Sequence, residues 1–425
     1  MINRSSACMY TPMSSNHSTA VLGAGIQGCC IALELARRGK RVALLDQDTQ
    51  PINRTSIRNE GKIHLGFVYA NEPSRSTADL VLNGALHFYP LLSRWLGDDI
   101  SVLQPSTPFY YLVADDSLLN PDDLERHYQH VETTYHQFLL ENPPLNYMGL
   151  RPNRLFRRLP AGDLARHFTA SRFQGGFITE ERAIDTAAVA HLMRQAIYDE
   201  PLISFVPSRT VKTVTRGPLG FDIEGVGPTG TWKIKAEQVV NATWESRQAI
   251  DQTMGITPEP NSLHRLKYRV LARLPDHLHT APSVTMVLGR YGDVVIRPDH
   301  TVYLSWYPSA LKGWSQDLLP PASWNEAVTG QVEPTVANAI TQEIIHAIET
   351  WYPGMAGVIP YQTDAGIIFA HGQSDVDDTT SGLHTRAQVG VKSYDGYHSV
   401  STGKYTTAPL FADQAANAVM AGVCR

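Results

Sequence analysis

Thr19-Ala20-Val21-Leu22-Gly23-Ala24-Gly25-Ile26-Gln27-Gly28 is the stretch that decides how this chain folds. An apolar tetrapeptide runs into glycine, and the glycines follow the spacing G-x-G-x-x-G. Such a hexapeptide is weak alone and gains weight from its context. Ahead of it the chain reads as a short buried strand. Behind it Ile31, Ala32 and Leu35 recur at helical spacing over roughly Ile26 to Arg38, and Gly39 stands where a C-terminal cap belongs. Arg41 to Asp46 then reads as a second buried strand. Strand, helix, strand in that order predicts a right-handed parallel unit. Within it Gly23 permits the tight turn, Gly25 lets backbone approach a diphosphate, and Gly28 lets helix and strand pack closely. Ile26 and Gln27 lie in the first helical turn, whose free N–H groups face the phosphates. Asp46, with Gln47 beside it, ends the second strand, where a carboxylate accepts ribose hydroxyls and repels a 2′-phosphate. The alternative is a structural glycine turn beside a surface aspartate. The motif points to FAD or NAD and does not choose between them.

The rest of the chain must supply that choice. Its 425 residues suffice for two or three domains or one two-part enzyme. A hydrophobic fraction of 43% and a charged fraction of 18% are ordinary for a globular protein, so the core needs no staples. With Lys+Arg 36 against Asp+Glu 41, and no basic run, neither a nucleic-acid surface nor a membrane patch is expected. The four cysteines Cys8, Cys29, Cys30 and Cys424 form no C-x-x-C pair, which excludes a zinc knuckle and suits a reducing compartment. Residues 1–17 are polar and lack a signal peptide's apolar run; they read as a disordered leader. No stretch is apolar enough to span a bilayer, so a cytoplasmic protein is expected, of unknown oligomeric state.

Further along, Leu80 to Trp95 and Pro121 to Leu140 read as helices flanking a strand, Phe109 to Val113. A third helix follows Asp185 as N-cap. Short strands are expected at Ile203–Val206, Thr210–Thr215, Phe221–Glu224, Thr231–Ile234 and Gln238–Asn241, with turns at Gly217-Pro218 and Pro228-Thr229-Gly230. Arg265 to Tyr307 is β-rich and contains a hairpin through Pro298-Asp299-His300. A helix from Pro334 to Trp351 and an Ala-rich helix from Thr407 to Ala421 complete the reading.

Two later segments choose the cofactor. Thr55-Ser56-Ile57-Arg58-Asn59-Glu60-Gly61-Lys62-Ile63-His64-Leu65-Gly66-Phe67-Val68-Tyr69 is polar and glycine-bearing. Its Asn59 to Tyr69 part resembles the flavin-contacting segment of L-2-hydroxyglutarate dehydrogenases, and its start resembles FAD-linked glycerol-3-phosphate dehydrogenases. Both belong to the D-amino-acid-oxidase-like superfamily. Gly396 to Pro409 resembles the C-terminal flavin signature of the same superfamily. Val239-Val240-Asn241-Ala242-Thr243 resembles its returning strand, with Thr243-Trp244 where a glycine is usual.

The resemblance implies FAD rather than NAD, because segments this dispersed suit an extended dinucleotide. It implies an α/β fold: a Rossmann-type FAD-binding domain of discontinuous segments (18–85, 165–250 and 355–425) plus a mixed β-sheet substrate domain (86–164 and 251–354), of the glutathione-reductase-2/D-amino-acid-oxidase-like kind. The cofactor residues it implies are those of the first motif with Thr55, Ser56, Arg58, Asn59, Gly61, Lys62, Ile63 and His64. To these it adds Val211, Ala242, Thr243, Trp244, Thr402, Gly403, Lys404, Tyr405 and Thr406. Gly403 lets backbone approach the ring, and Lys404 with the following helix N-terminus stabilises negative charge on reduced flavin. Arg58 or Asn59 stands where some relatives carry a flavin-linking histidine, so non-covalent FAD is expected.

For chemistry, flavin carries the hydride and the protein binds substrate and takes a proton. His64 is the candidate general base for an alcohol substrate, with a structural histidine as the alternative. Lys404 is a second catalytic candidate. Tyr69, Arg297, Tyr303 and Arg386 are candidate substrate contacts. Tyr303, Ser305 and Tyr307 alternate onto one strand face, as do Lys267 and Arg269; each equally suits a solvated or salt-bridged residue. Asp375-Val376-Asp377-Asp378 reads as a polar loop rather than a metal site. The expectation is a small-molecule oxidoreductase acting at CH–OH or CH–NH, a 2-hydroxy acid slightly favoured over an amine, with O₂ or another acceptor reoxidising the flavin. A flavin-binding scaffold without turnover and an NAD-dependent dehydrogenase are the alternatives.

Overall fold

The computed structural model describes residues 16–372, 382–383, 385 and 388–422. Strand β1 (Asn16–Leu22), helix α1 (Ile26–Arg37) and strand β2 (Val42–Leu45) form the expected unit. β1 pairs in parallel with β2 and, on its other side, with the strand Gly230–Asn241. That strand pairs in parallel with Tyr397–Ser401, and β2 with Ile203–Val206. All four residues of β2 are buried, as expected of a strand covered on both faces. α1 ends in a glycine-capped turn: Gly39, at φ +80°, bonds its N–H to Ala36 and the Lys40 N–H reaches Leu35.

A second sheet of nine strands, counted among the described residues, is centred on Ser262–Arg273, Thr301–Trp306, Gly292–Ile296 and Ser283–Val287. Phe109–Ala114 pairs in parallel with Ser283–Val287, and Ile359–His371 runs antiparallel along Ser262–Arg273. Phe173–Thr179 and Ile359–His371 thus belong to this sheet, although they fall in segments expected to carry the cofactor. β1 begins at Asn16, inside the stretch read as a leader.

Two expectations are corrected here. Thr231–Ile234 and Gln238–Asn241 are one continuous strand, Gly230–Asn241. Its polar middle suggests a break, but that half lies in an antiparallel meander with Gly220–Gly227, where Lys233 and Lys235 pair with Asp222. Tyr307 does not continue the face of Tyr303 and Ser305, because the strand ends at Trp306 and Tyr307 opens a short helix.

Register brings the site together. Leu22 stands opposite both Leu45 and Asn241, so the next residues, Gly23, Asp46 and Ala242, emerge side by side at the carboxyl ends of three parallel strands. Gly23 donates its N–H to Leu45, and Ala242 donates to Leu22. This is where open α/β sheets bind ligands. The last helix, Ala408–Ala421, lies along α1, and Gln27 donates its amide to Ala408 across 3.0 Å. The first and last helices therefore open side by side.

Candidate active site

A cavity of about 320 Å³ runs between the strand ends of the first sheet and the face of the second. Gly25 and Gly403, remote in sequence, line the same space. One end is shaped by the first motif. Gly23 has φ +88°, and a Cβ there would meet the Ala242 carbonyl oxygen at 2.7 Å. A Cβ on Gly28 would lie 1.8 Å from the Gly23 carbonyl oxygen, so helix and turn touch only because neither carries a side chain. Gly28 therefore stands behind the cavity wall, in the packing role its place in the motif implies. Ser56 accepts the Ile26 N–H at 3.0 Å and closes the first turn of α1 toward the 55–59 loop. Asp46 accepts from Ala24 at 2.6 Å and Asp48 at 2.8 Å. Burial pushes its carboxyl up to about 6 against those two bonds. Gln47, Val211, Ala242 and Thr243 complete this end.

Trp244 takes the left-handed conformation (φ +53°) near the position where a glycine is usual. Its indole donates to the Ile367 carbonyl at 2.8 Å and packs against Phe369, contacts that hold the strained residue in place.

The 55–64 segment forms the middle wall. Thr55, Ser56, Arg58, Asn59, Lys62 and His64 line the cavity. Asn59 donates to the Thr55 and Ser56 carbonyls and accepts from Gly61, so it shapes its own loop. Arg58 pairs with Asp364 at 3.2 Å, and Arg269 meets the same carboxylate at 2.6 Å. Arg269 thus braces the loop and does not line the cavity as Lys267 does. Gly61, Ile63 and Thr406 also lie outside the lining. A Gly61 Cβ would strike the Ile184 carbonyl; Ile63 is fully buried; Thr406 accepts the His64 N–H and donates to the Lys62 carbonyl. These residues hold the wall from behind.

His64 is 4% exposed, and neither ring nitrogen has a hydrogen-bond partner. Each instead faces a carboxylate: Nε2 stands 3.6 Å from Glu60 and Nδ1 3.5 Å from Glu181. Glu181 is fully buried, accepts the Leu65 N–H at 2.7 Å and takes a hydrogen bond from the Tyr111 hydroxyl. Burial alone would raise both carboxyls. His64 and the ammonium groups of Lys267 and Lys404 hold Glu60 well below the usual range, and His64 and Lys62 lower Glu181.

The far end is cationic and aromatic. Arg265 and Lys267, two apart on Ser262–Arg273, both line the cavity. Their charges flank the Tyr307 ring, at 5.8 Å and 4.7 Å from its centroid. Tyr303, pushed up to about 12 by burial, lies beside them. Lys62 is neutralised by Asp293 and bonded to Thr285. Thr402, Gly403, Lys404 and Tyr405 close the cavity beside Tyr69, over whose ring Lys404 lies at 5.9 Å. Gly403 has φ +69°, and a Cβ there would meet Val389 at 2.9 Å.

Of the expected substrate contacts, Tyr69 and Tyr303 line the cavity. Arg297 does not: it follows the end of its strand at a turn, and its buried guanidinium stands 3.7 Å from Asp185. Arg386 and Asp375 to Asp378 lie outside the described residues. No cluster fit for a metal ion occurs among the described residues, and no helix there is long and apolar enough to cross a membrane. Sequence reasoning missed Glu60, Glu181, Arg265 and Asp293. Arg265-x-Lys267 on a strand was the available signal. Glu181 gave none.

The residues fit an extended dinucleotide. Gly25, the N-cap of α1, has no side chain to cap the helix start, where Ser56 takes only the Ile26 N–H; Asp46 offers a buried carboxylate, and Lys404 offers a cation at the other end. Comparison with known proteins matches residues 18–413 to the family described as FAD dependent oxidoreductase. The FAD-dependent monooxygenase FPY4 of Fusarium mangiferae is 33% identical over 107 residues, 24% of this chain and 26% of that protein. A tRNA 5-methylaminomethyl-2-thiouridine biosynthesis bifunctional protein, MnmC, of Pseudomonas savastanoi pv. phaseolicola is 31% identical over 83 residues, 20% of this chain and 12% of that one. The chain thus matches about a quarter or less of these curated relatives' length. Glycine oxidase from Geobacillus kaustophilus superposes with a TM-score of 0.68 at 15% identity, covering 96% of this chain and 95% of its own. L-α-glycerophosphate oxidase from Mycoplasma pneumoniae, with FAD bound, gives 0.65 at 14% identity over 96% and 95%. L-proline dehydrogenase from P. horikoshii gives 0.64 at 14% identity over the same shares, 96% and 95%. At these identities the likeness is one of fold.

Proposed function

This chain belongs to the FAD-dependent oxidoreductase family, and we propose that it oxidises a small 2-hydroxy acid, with His64 as proton acceptor and Lys267 and Arg265 as anchors for the carboxylate. One observation carries the reading: a buried imidazole and two unlike cationic side chains open into the same cavity as Gly25 and Gly403. FAD, when bound, accepts the hydride. The first turn of α1 from Gly25 to Gln27 would hold its diphosphate, Asp46 its ribose, Val211 and Ala242 its adenine, and Thr402 to Lys404 its ring system. Non-covalent attachment is the expectation, and His64, the one imidazole in the lining among the described residues, is the side chain that a covalent bond would use. The roles of this chain's residues follow from charge and reach. Lys267 and Arg265 fix an anion, which orients the neighbouring carbon. His64 receives the hydroxyl proton at Nε2 or Nδ1, and Glu60 and Glu181 hold the resulting imidazolium. The surrounding tyrosines, Tyr69 and Tyr303, limit water.

A second reading, oxidation of an amino acid or secondary amine, is favoured by Glu60: an ionised carboxylate in the lining can receive an ammonium group. The named activities of glycine oxidase and L-proline dehydrogenase, which share the fold, lie in that direction. Anaerobic mixing of the yellow protein with panels of 2-hydroxy acids and amines separates the two. Bleaching by hydroxy acids supports the first reading; bleaching by amines alone overturns it. O₂ consumption after bleaching then tells an oxidase from a dehydrogenase.

A further inference from the structure

In the hydroxy-acid reading Glu60 and Glu181 together hold the imidazolium, but Glu60 also lines the cavity and Glu181 does not. Its carboxylate faces His64 Nε2 across 3.6 Å, beyond hydrogen-bond length, while Glu181 faces Nδ1 at 3.5 Å from the interior. On its cavity side stand Lys267 and Lys404, whose ammonium groups contribute to keeping Glu60 ionised. Asp293, paired with Lys62, is the other acid that feels Lys267 and Glu60. Behind His64, Glu181 is fixed by Tyr111 and the Leu65 N–H and feels Lys62. Glu60 is therefore shared between two ammonium groups and one imidazole in a site with little water to screen them.

We propose that Glu60 is a positioning residue that couples anion binding at Lys267 to proton uptake at His64. An anion seated on Lys267 takes over part of its charge. Glu60 then compensates His64 more fully, and the imidazole binds a proton more tightly while the anion stays. By linkage, the anion binds more tightly where His64 is protonated. Proton acceptance then strengthens only when an acid of the right reach occupies the site. The coupling rests on the proposed reading of Lys267 as an anion anchor, and its test separates the two.

The test uses the FAD-loaded protein and oxalate, which carries carboxylates but no C–H to give up. Its Kd is read from the flavin absorbance change between about pH 5 and pH 8, where imidazole titrates. In the wild type Kd rises toward about tenfold per pH unit on the alkaline side, the limit for one proton taken up per anion. Glu60→Gln cuts that slope to less than about half, His64→Gln flattens it, and Glu60→Asp, which keeps the charge, retains it. A flat wild-type profile, or a wild-type slope in Glu60→Gln, overturns the coupling. Should Glu60→Gln not fold, a wild-type slope in His64→Gln overturns it equally. Unchanged oxalate affinity in Lys267→Met instead overturns the anchoring reading, whatever the slopes.

Discussion

The two ends of the cavity are built in opposite ways. The diphosphate end comes from three adjacent strand ends and a loop, and most of it lies between Gly23 and Asn59. Its geometry is set by backbone: glycines that admit close contact, N–H groups at a helix start, one carboxylate between two amides. The substrate end is assembled from side chains of the 60–69 segment, Ser262–Arg273, Thr301–Trp306 and the residues around Gly403. There nothing local fixes the arrangement, and the charges hold one another in place. A site of the first kind is intolerant of added atoms; one of the second kind is intolerant of lost charges.

That contrast can be broken by substitution. Gly28→Val puts a branched side chain where a Cβ alone would sit 1.8 Å from the Gly23 carbonyl oxygen. We expect loss of bound flavin and destabilisation by about 3 kcal/mol or more, read by thermal melting and absorbance. A stable yellow protein would show that the turn gives way more easily than its packing implies. His64→Gln leaves the flavin bound and lowers the rate of anaerobic bleaching by about 10²- to 10⁴-fold, the range for a lost proton acceptor. A fall in flavin content with an unchanged rate would move His64 to the other end of the comparison. Lys267→Met raises KM by about 10- to 100-fold with kcat less affected, as for one charged hydrogen bond to an anion. Arg297→Met, outside the lining, leaves KM unchanged within about twofold, because its buried guanidinium stands by Asp185 and not in the cavity. A large KM effect there would sharpen the boundary of the substrate end.

The same contrast explains what was legible in the sequence. The first strand–helix–strand unit could be read almost to the residue, since Gly23 and Gly39 report backbone conformations that few other residues adopt and Gly28 reports a contact with no room for a Cβ. The helix start at Asp185, read as an N-cap, was equally readable: Asp185 accepts the Ala187 N–H. The strand Gly230–Asn241 was not, because Lys235-Ala236-Glu237, between its two halves, reads as a break. Arg297, expected as a substrate contact, lies outside the lining. Alternation along a strand says which face a residue is on, but not what lies beyond the strand's end. Lys267 and Arg269 share a face, yet one reaches the cavity and the other Asp364. Glu181 gave no signal, since its partners His64 and Tyr111 come from distant segments.

The claim beneath all of this is that one continuous cavity holds a dinucleotide from the start of α1 to the turn at Gly403 without a covalent bond. Acid precipitation of the purified protein tests it most directly. The account predicts a yellow protein that turns colourless in the pellet, with one FAD per chain released into the supernatant. A protein that takes up no flavin after incubation with excess FAD, or a pellet that stays yellow, would contradict it.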